Sequence, residues 1–143
     1  MNPDEHLRLA TVPVMTRAQE VVAAFIAAVE RKDVDAAVAM LAADVSYENM
    51  PMQPIVGADQ VRATLAAFLG AASEVDWPVR REMAVGDVVM NERLDRFKIG
   101  DGWLELPVAG VFEVNGDGLI TLWRDYFDLN AYTSQLTALT SGS

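Results

Sequence analysis

The sequence predicts an α+β protein, with N-terminal helices packed on one face of a curved, mostly antiparallel sheet. Three observations point there. Apolar residues recur at helical spacing through the first half of the chain. From Val75 onward the period falls to two, broken by Gly-Asp and Asn-Gly turns. Helices first and a strand meander second is the order of an α+β domain, not of alternating βαβ units.

The elements follow in order. Residues 1–15 contain Pro3 and Pro13, show no clean period and read as an arm carrying His6, to which no role is assigned. Thr16 reads as an N-cap, with Gln19 at the capping-box position. Val21, Val22, Phe25, Ile26 and Val29 then share a helical stripe, and Arg31 and Lys32 fall in the last turn, where the helix dipole favours cations. Asp33 or Asp35 caps a short second helix carrying Val38 and Leu41, which ends at Ala43 and Asp44. Val45–Asn49 is a strand with Val45, Tyr47 and Asn49 on one face. Pro51 and Pro54 break regular structure. Asp59 precedes a third helix with Val61, Leu65, Phe68 and Leu69 on one stripe and Gly70 near its end. Val75–Val85 is predicted as one strand with Pro78 at an edge or bulge. Val88–Ile99, Trp103–Val114 and Leu119–Leu129 are long strands, joined through Gly100-Asp101-Gly102 and Asn115-Gly116-Asp117-Gly118. The Thr- and Ser-rich tail, 133–143, is expected to be flexible.

The chain has 143 residues, 52% of them hydrophobic, which fits one domain spanning 1–143. There is no cysteine, so disulfides, thiol nucleophiles and thiolate metal sites are excluded. The single histidine, His6, excludes paired-histidine metal motifs. Chemistry falls to carboxylates, arginine, tyrosine and amides. With 21 acidic against 11 basic residues the net charge is −10, which makes nucleic acid and anionic membranes poor partners. The acidity itself reads as solubility. Asp4 and Glu5 near the start, with no apolar core behind them, do not read as a leader. The longest apolar run, Val21–Val29, is too short to span a bilayer. A cytoplasmic protein is the expectation.

Three charges sit in unusual company. Arg93 and Asp95 are two apart on the Val88–Ile99 strand, so they share a face about 6.5–7 Å apart. Asp125 shares its strand face with Leu119, Thr121, Trp123 and Phe127. If both faces look inward, one arginine and two aspartates meet in an apolar interior. Burying an unpaired charge costs several kcal/mol, and an arginine between two carboxylates offsets much of it. By the same reasoning, the carboxylate with more arginine contact stays ionised and the more desolvated one keeps its proton. Base and acid would then occupy one site. Tyr47 and Asn49 add a hydroxyl and an amide suited to holding a water molecule. Met50, Met52, Phe68, Leu104, Leu106 and Phe112 are candidates for an apolar pocket around it. On spacing alone, an Arg-x-Asp on a strand is more often a surface ion pair. The even face of that strand, with Val88, Met90 and Leu94, leaves its phase open. Glu48, Glu92, Arg96 and Arg124 fall on the opposite faces and read as outward or interface charges.

At these residues the sequence resembles the limonene epoxide hydrolase family. The matching pieces are Tyr47-Glu48-Asn49-Met50-Pro51, Arg93-Leu94-Asp95 and Trp123-Arg124-Asp125-Tyr126-Phe127-Asp128, in the family's order. The resemblance implies the cone fold shared with nuclear transport factor two, ketosteroid isomerase and polyketide cyclases, with its strongly curved sheet around an apolar pocket. It implies a homodimer joined through the sheet. It also implies roles. Asp125 is the general base toward water, Tyr47 and Asn49 hold that water, and Asp95 is the general acid toward the epoxide oxygen. Arg93 bridges the aspartates, and Trp123 is a pocket residue without a chemical step. The implied reaction is direct opening of a small hydrophobic epoxide by water, with no covalent ester, metal or cofactor. Two alternatives use the same fold: an acid–base enzyme of the ketosteroid isomerase or polyketide cyclase kind, and a non-catalytic ligand-binding module.

Overall fold

The computed structural model describes residues 14–50 and 52–141. The expected arm, with His6, lies outside the described residues except for Val14 and Met15, which are exposed. Helix α1, Arg17–Glu30, starts at Thr16 with a complete capping box: the Gln19 N–H donates to Thr16 Oγ1 at 3.1 Å, and the Thr16 N–H donates to Gln19 Oε1 at 2.9 Å. Its stripe Val22, Phe25, Ile26 and Val29 is buried as the spacing predicts. Arg31 and Lys32 lie just past the last turn, Arg31 as the C-cap. Lys32 turns at φ 60° and donates to the Ala72 carbonyl at 2.6 Å.

Helix α2 is Val34–Ala39, capped by Asp33, whose Oδ1 accepts from the Ala36 N–H at 3.0 Å. It ends at Ala39, four residues short of the expected Ala43. Leu41 instead begins strand β1, Leu41–Met50, because Leu41 is a register partner of Ile120 and the Ile120 N–H reaches the Met40 carbonyl at 2.8 Å. Tertiary pairing thus overrides a local Leu-Ala-Ala helix tendency. Strand β2, Ile55–Val56, folds back on β1, and helix α3, Ala58–Ala71, buries Val61, Leu65 and Leu69.

Five strands of the second half complete the sheet. They are β3, Glu74–Asp76; β4, Val79–Val85; β5, Val88–Ile99; β6, Gly102–Val114; and β7, Ile120–Tyr126. The single strand expected over Val75–Val85 is two, broken at Trp77-Pro78, and both halves pair with β5. Proline has no N–H for the ladder, and its carbonyl still accepts from the Leu94 N–H at 3.1 Å. The sheet order is β2-β1-β7-β6-β5-β3, with β4 also on β5. Every pairing is antiparallel except β1 with β7.

The last strand stops at Tyr126, short of the expected Leu129. The stretch expected to be flexible is largely helix α4, Leu129–Thr140. Asp128 caps it through the Ala131 N–H at 3.2 Å. The Gln135 carboxamide pairs with the open edge of β6, accepting from the Glu105 N–H and donating to the Glu105 carbonyl, both at 2.9 Å. Tyr132, Leu136 and Leu139 pack on Leu104, Leu106 and Val108. No helix among the described residues is long and apolar enough to cross a membrane.

The main core lies between α1, α3 and the concave sheet face. Phe25 stands edge-on to Trp123 at 4.9 Å and to Phe112 at 6.3 Å between ring centroids. Phe25→Ala is expected to cost about 3–5 kcal/mol, and Thr16→Ala about 1 kcal/mol, in urea denaturation.

Candidate active site

The phase of β5 is decided by burial. Val89, Asn91, Arg93 and Asp95 are buried, while Met90 and Glu92 are exposed. The odd positions of β7, Trp123 and Asp125, are buried too, so both faces look inward. One register row crosses five strands. Asn49 of β1 pairs with Asp125 of β7, Asp125 with Gly110 of β6, Gly110 with Asn91 of β5, and Asn91 with Glu82 of β4. Arg93 lies one pleat further along β5 and reaches back over Gly110. A Cβ at Gly110 would overlap Arg93 Nη1 and lie 2.9 Å from Asp125 Oδ1. The missing side chain is therefore the space the guanidinium needs.

Arg93 is 1% exposed, and each of its three nitrogens has a partner. Nε and Nη2 form a fork on Asp95, at 2.9 Å to Oδ1 and 3.0 Å to Oδ2. Nη2 also reaches Asp125 Oδ2 at 3.1 Å, and Nη1 donates to Asn91 Oδ1 at 2.9 Å. The Trp77 and Phe112 rings lie 5.2 and 5.9 Å from the guanidinium carbon. Asp125 Oδ2 also accepts from the Trp123 indole N–H at 3.1 Å. Asp125 Oδ1 is buried and has no hydrogen-bond partner among the described residues. The Tyr47 ring stacks on Trp123 at 3.8 Å, which aims its hydroxyl from the same floor.

Burial raises both aspartates, with Arg93 opposing it. Asp125 is pushed from the ordinary 3.8 up to about 6, and the charge of Asp95 contributes to the rise. Asp95 is also raised by burial. Burial alone would lower Arg93, but the two carboxylates outweigh it and hold the guanidinium charged. Burial and the Asp125 charge keep the Tyr47 phenol protonated. Two carboxylates on one cation thus retain a shared proton into the mildly acidic range. Asp95 has the larger share of arginine contact. By contact alone the proton rests on Asp125, the reverse of the roles that the resemblance implies.

The floor opens into a cavity of about 560 Å³. Tyr47, Asn49, Asp95 and Asp125 line it, with Met52, Phe68, Leu104 and Leu106 from the expected pocket set. Three residues of that set do not line it. Phe112 and Trp123 are fully buried beneath the floor, where they carry Arg93 and Tyr47. Met50 is at the end of β1, outside the lining. Trp77, Phe97, Phe127, Tyr132 and Leu136 line the cavity and were not expected. Trp77 arrives through the strand break, and Tyr132 and Leu136 come from α4. Asn91 and Gly110 were also missed, although Asn91 shares the odd-position face with Arg93 and Asp95. Glu48 and Arg124, read as outward, bond each other at 2.9 Å on the convex face. Among the described residues no three His, Cys, Asp or Glu side chains converge as metal ligands do.

The raised Asp125 has a sign in stability. The folded state binds the proton more tightly than the unfolded chain. That contribution is complete below about pH 4 and is lost as pH rises through about 6. Two units correspond to about 3 kcal/mol. Asp125→Asn is expected to remove this slope. Urea midpoints of wild type minus variant, taken from pH 4 to 7.5, measure it, and a flat difference would mean that the Asp125 carboxyl is not raised.

The chain is similar to known proteins. Residues 16–138 match the limonene-1,2-epoxide hydrolase catalytic domain. The chain is 39% identical over 108 residues to epoxide hydrolase EphG of Mycobacterium tuberculosis, covering 76% of this chain and 71% of that protein. The solved structure of an M. tuberculosis epoxide hydrolase of the limonene epoxide hydrolase type superposes with a TM-score of 0.75. The identity is 36%, over 92% of this chain and 100% of that one. An NTF2-like protein of unknown function from Burkholderia pseudomallei, 19% identical, shares the fold at TM-score 0.73 over 90% of this chain and all of that one. The matched span carries every strand and the whole Arg93 cluster, and the chain belongs to the limonene-1,2-epoxide hydrolase family.

Proposed function

We propose that the protein hydrolyses a small hydrophobic epoxide to a vicinal diol in one step, by direct attack of water. The observation that carries this reading is one buried arginine bonded to two carboxylates at the floor of an otherwise apolar cavity. In the productive state the shared proton sits on Asp95 and the charge on Asp125. Tyr47 and Asn49 hold a water molecule, and Asn49 is the register partner of Asp125. Asp125 takes a proton from this water as its oxygen bonds to an oxirane carbon. The carbon–oxygen bond of the ring breaks, and Asp95 gives its proton to the departing oxygen. One proton has entered the pair and one has left it, so the site's net charge is constant. Moving the proton from Asp125 to Asp95 resets the site. Contact with Arg93 favours the resting arrangement, so this transfer is part of the cycle.

The wall supports an apolar substrate. Thr64 and Thr133 line it, but each hydroxyl is engaged by its own helix, at 3.2 Å to the Gln60 carbonyl and 3.1 Å to the Leu129 carbonyl. What they offer the cavity is methyl surface. Polar recognition is thus concentrated at the floor, where the oxirane oxygen belongs. On the convex face Met83, Val85, Met90 and Tyr126 stand exposed, which suits the homodimer that the resemblance implies.

Purified protein is expected to convert cyclohexene-type, terpene or styrene oxides to diols, read by chiral chromatography. Asp125→Asn and Asp95→Asn should each lower kcat by at least about 10²–10⁴-fold while the circular dichroism spectrum is kept. Retained turnover in either would overturn its role. In ¹⁸O-water the first-turnover diol should carry label, and unlabelled product would mean an oxygen from the enzyme. Proton exchange into a bound ketone without epoxide turnover would instead favour an enolising enzyme.

A further inference from the structure

Arg93 presents three nitrogens, and the two aspartates engage only Nε and Nη2. The third, Nη1, is held by a neutral amide. Asn91 is 5% exposed, stands two residues before Arg93 on the same face, and accepts from Nη1 through Oδ1 at 2.9 Å. Its other end is tied as well. Nδ2 donates to Glu82 Oε1 at 3.5 Å, a long bond that contributes direction more than strength. Glu82 Oε2 accepts from Gln19 Nε2 at 3.2 Å, and Gln19 belongs to the capping box of α1. A polar chain therefore runs from the start of α1 through the edge strand β4 to the floor of the site.

We propose that Asn91 is a positioning residue for the reaction: its carboxamide oxygen, oriented by Glu82, fixes the guanidinium plane in which Arg93 can serve both Asp95 and Asp125. The proposal rests on the epoxide-hydrolysing reading of the same site. A planar fork has little tolerance for rotation. If Nη1 were free, only the single 3.1 Å contact to Asp125 would hold the plane beyond the Asp95 fork, and a small rotation on that fork would release it. A neutral amide is the suitable third partner, because a third carboxylate would add a charge that one cation does not balance. Asn91 does not line the cavity, so the substrate does not touch it. Among the described residues the titratable or charged groups facing this cluster are Arg93 and Asp95 on β5, Asp125 on β7, Tyr47 on β1 and Glu82 on β4. At this row β6 presents Gly110, and α1 reaches it through Gln19.

The test compares Asn91→Leu, Asn91→Asp and Glu82→Ala with wild type on a styrene or cyclohexene oxide, with thermal melts as the control for folding. Asn91→Leu removes the oxygen at similar volume and should lower kcat roughly 10–100-fold with KM changed less than about 3-fold. Asn91→Asp keeps an acceptor for Nη1 but loses the donor to Glu82 and adds a charge that Arg93 does not balance, so it should lower kcat as well and move the alkaline limb of the pH–rate profile up by about one unit. Glu82→Ala, at the half-buried edge, should lower kcat several-fold with KM unchanged. It stands in if Asn91→Leu does not fold. Folded variants with wild-type kcat and pH profile would overturn the proposal. If wild type turns over no epoxide, the functional reading fails, and carboxyl titration by ¹³C NMR still decides the positioning claim without turnover. In Asn91→Leu, which adds no charge, the Asp125 carboxyl should titrate higher because it loses its contact with Arg93, and unchanged titration would refute it.

Discussion

The bond set of Arg93 is the constraint on which the interior depends. A guanidinium at 1% exposure has lost its water and must recover every donor from protein atoms. Four of its five N–H groups meet Asp95, Asp125 and Asn91, and two aromatic faces flank it. Removing one partner would leave a charge or a donor buried without compensation, which is more costly than never having built the pair. The same set is what the proposed reaction would use. One cation between two carboxylates does not neutralise both, so the cluster retains a proton well above the usual carboxylate range. The arrangement that compensates for burial is thus the one from which the proposed acid and base are drawn.

The sheet makes this arrangement possible by register. The parallel pairing of β1 with β7 sets Asn49 beside Asp125 and Tyr47 beside Trp123. The antiparallel pairings set Gly110 and Asn91 in the same row. A slip of one residue in any of these pairings would move a charge to the convex face. Below the floor, Phe25, Phe112 and Trp123 form an aromatic layer that fills the space between α1 and the strands. Above it, α4 leans on the open part of β6 and closes the far side of the cavity with Tyr132 and Leu136. Apolar packing thus encloses the charged row and lowers the local dielectric there, which strengthens every bond that Arg93 makes.

Much of this was legible residue by residue. The capping box at Thr16, the stripe through Phe25, the hairpin at Asn115-Gly116 and the alternation of β6 each follow from short-range rules, and each is observed. Arg93, Asp95 and Asp125 stand out as candidate inward charges because of their company on their strand faces, but the phase of β5 stays open in the sequence and burial decides it. The errors lie where a local signal was overruled. Leu41 joined β1 because pairing with β7 was available. Trp77 turned into the cavity because the proline after it interrupts the strand. The Thr- and Ser-rich tail became α4 because Gln135 found the open backbone of β6, and Leu136 and Leu139 found apolar surface.

By itself the sequence determined the element order, the faces of most strands, and the residue types available for chemistry. These depend on periods of two and 3.6 and on which side chains carry protons, and both are local properties. Only the tertiary structure decided which charges share a partner. It put Asp125 across the sheet from Arg93, turned Gly110 into the space for a guanidinium, and placed Phe112 and Trp123 beneath the site instead of in its wall. It also gave Asp95 the bidentate bond, so contact alone puts the resting proton on Asp125, opposite to the resemblance. Such outcomes are set by the register between strands distant in the chain. A hydrogen-bond fork is resolved to tenths of an ångström, and no pattern of residue types carries that distance.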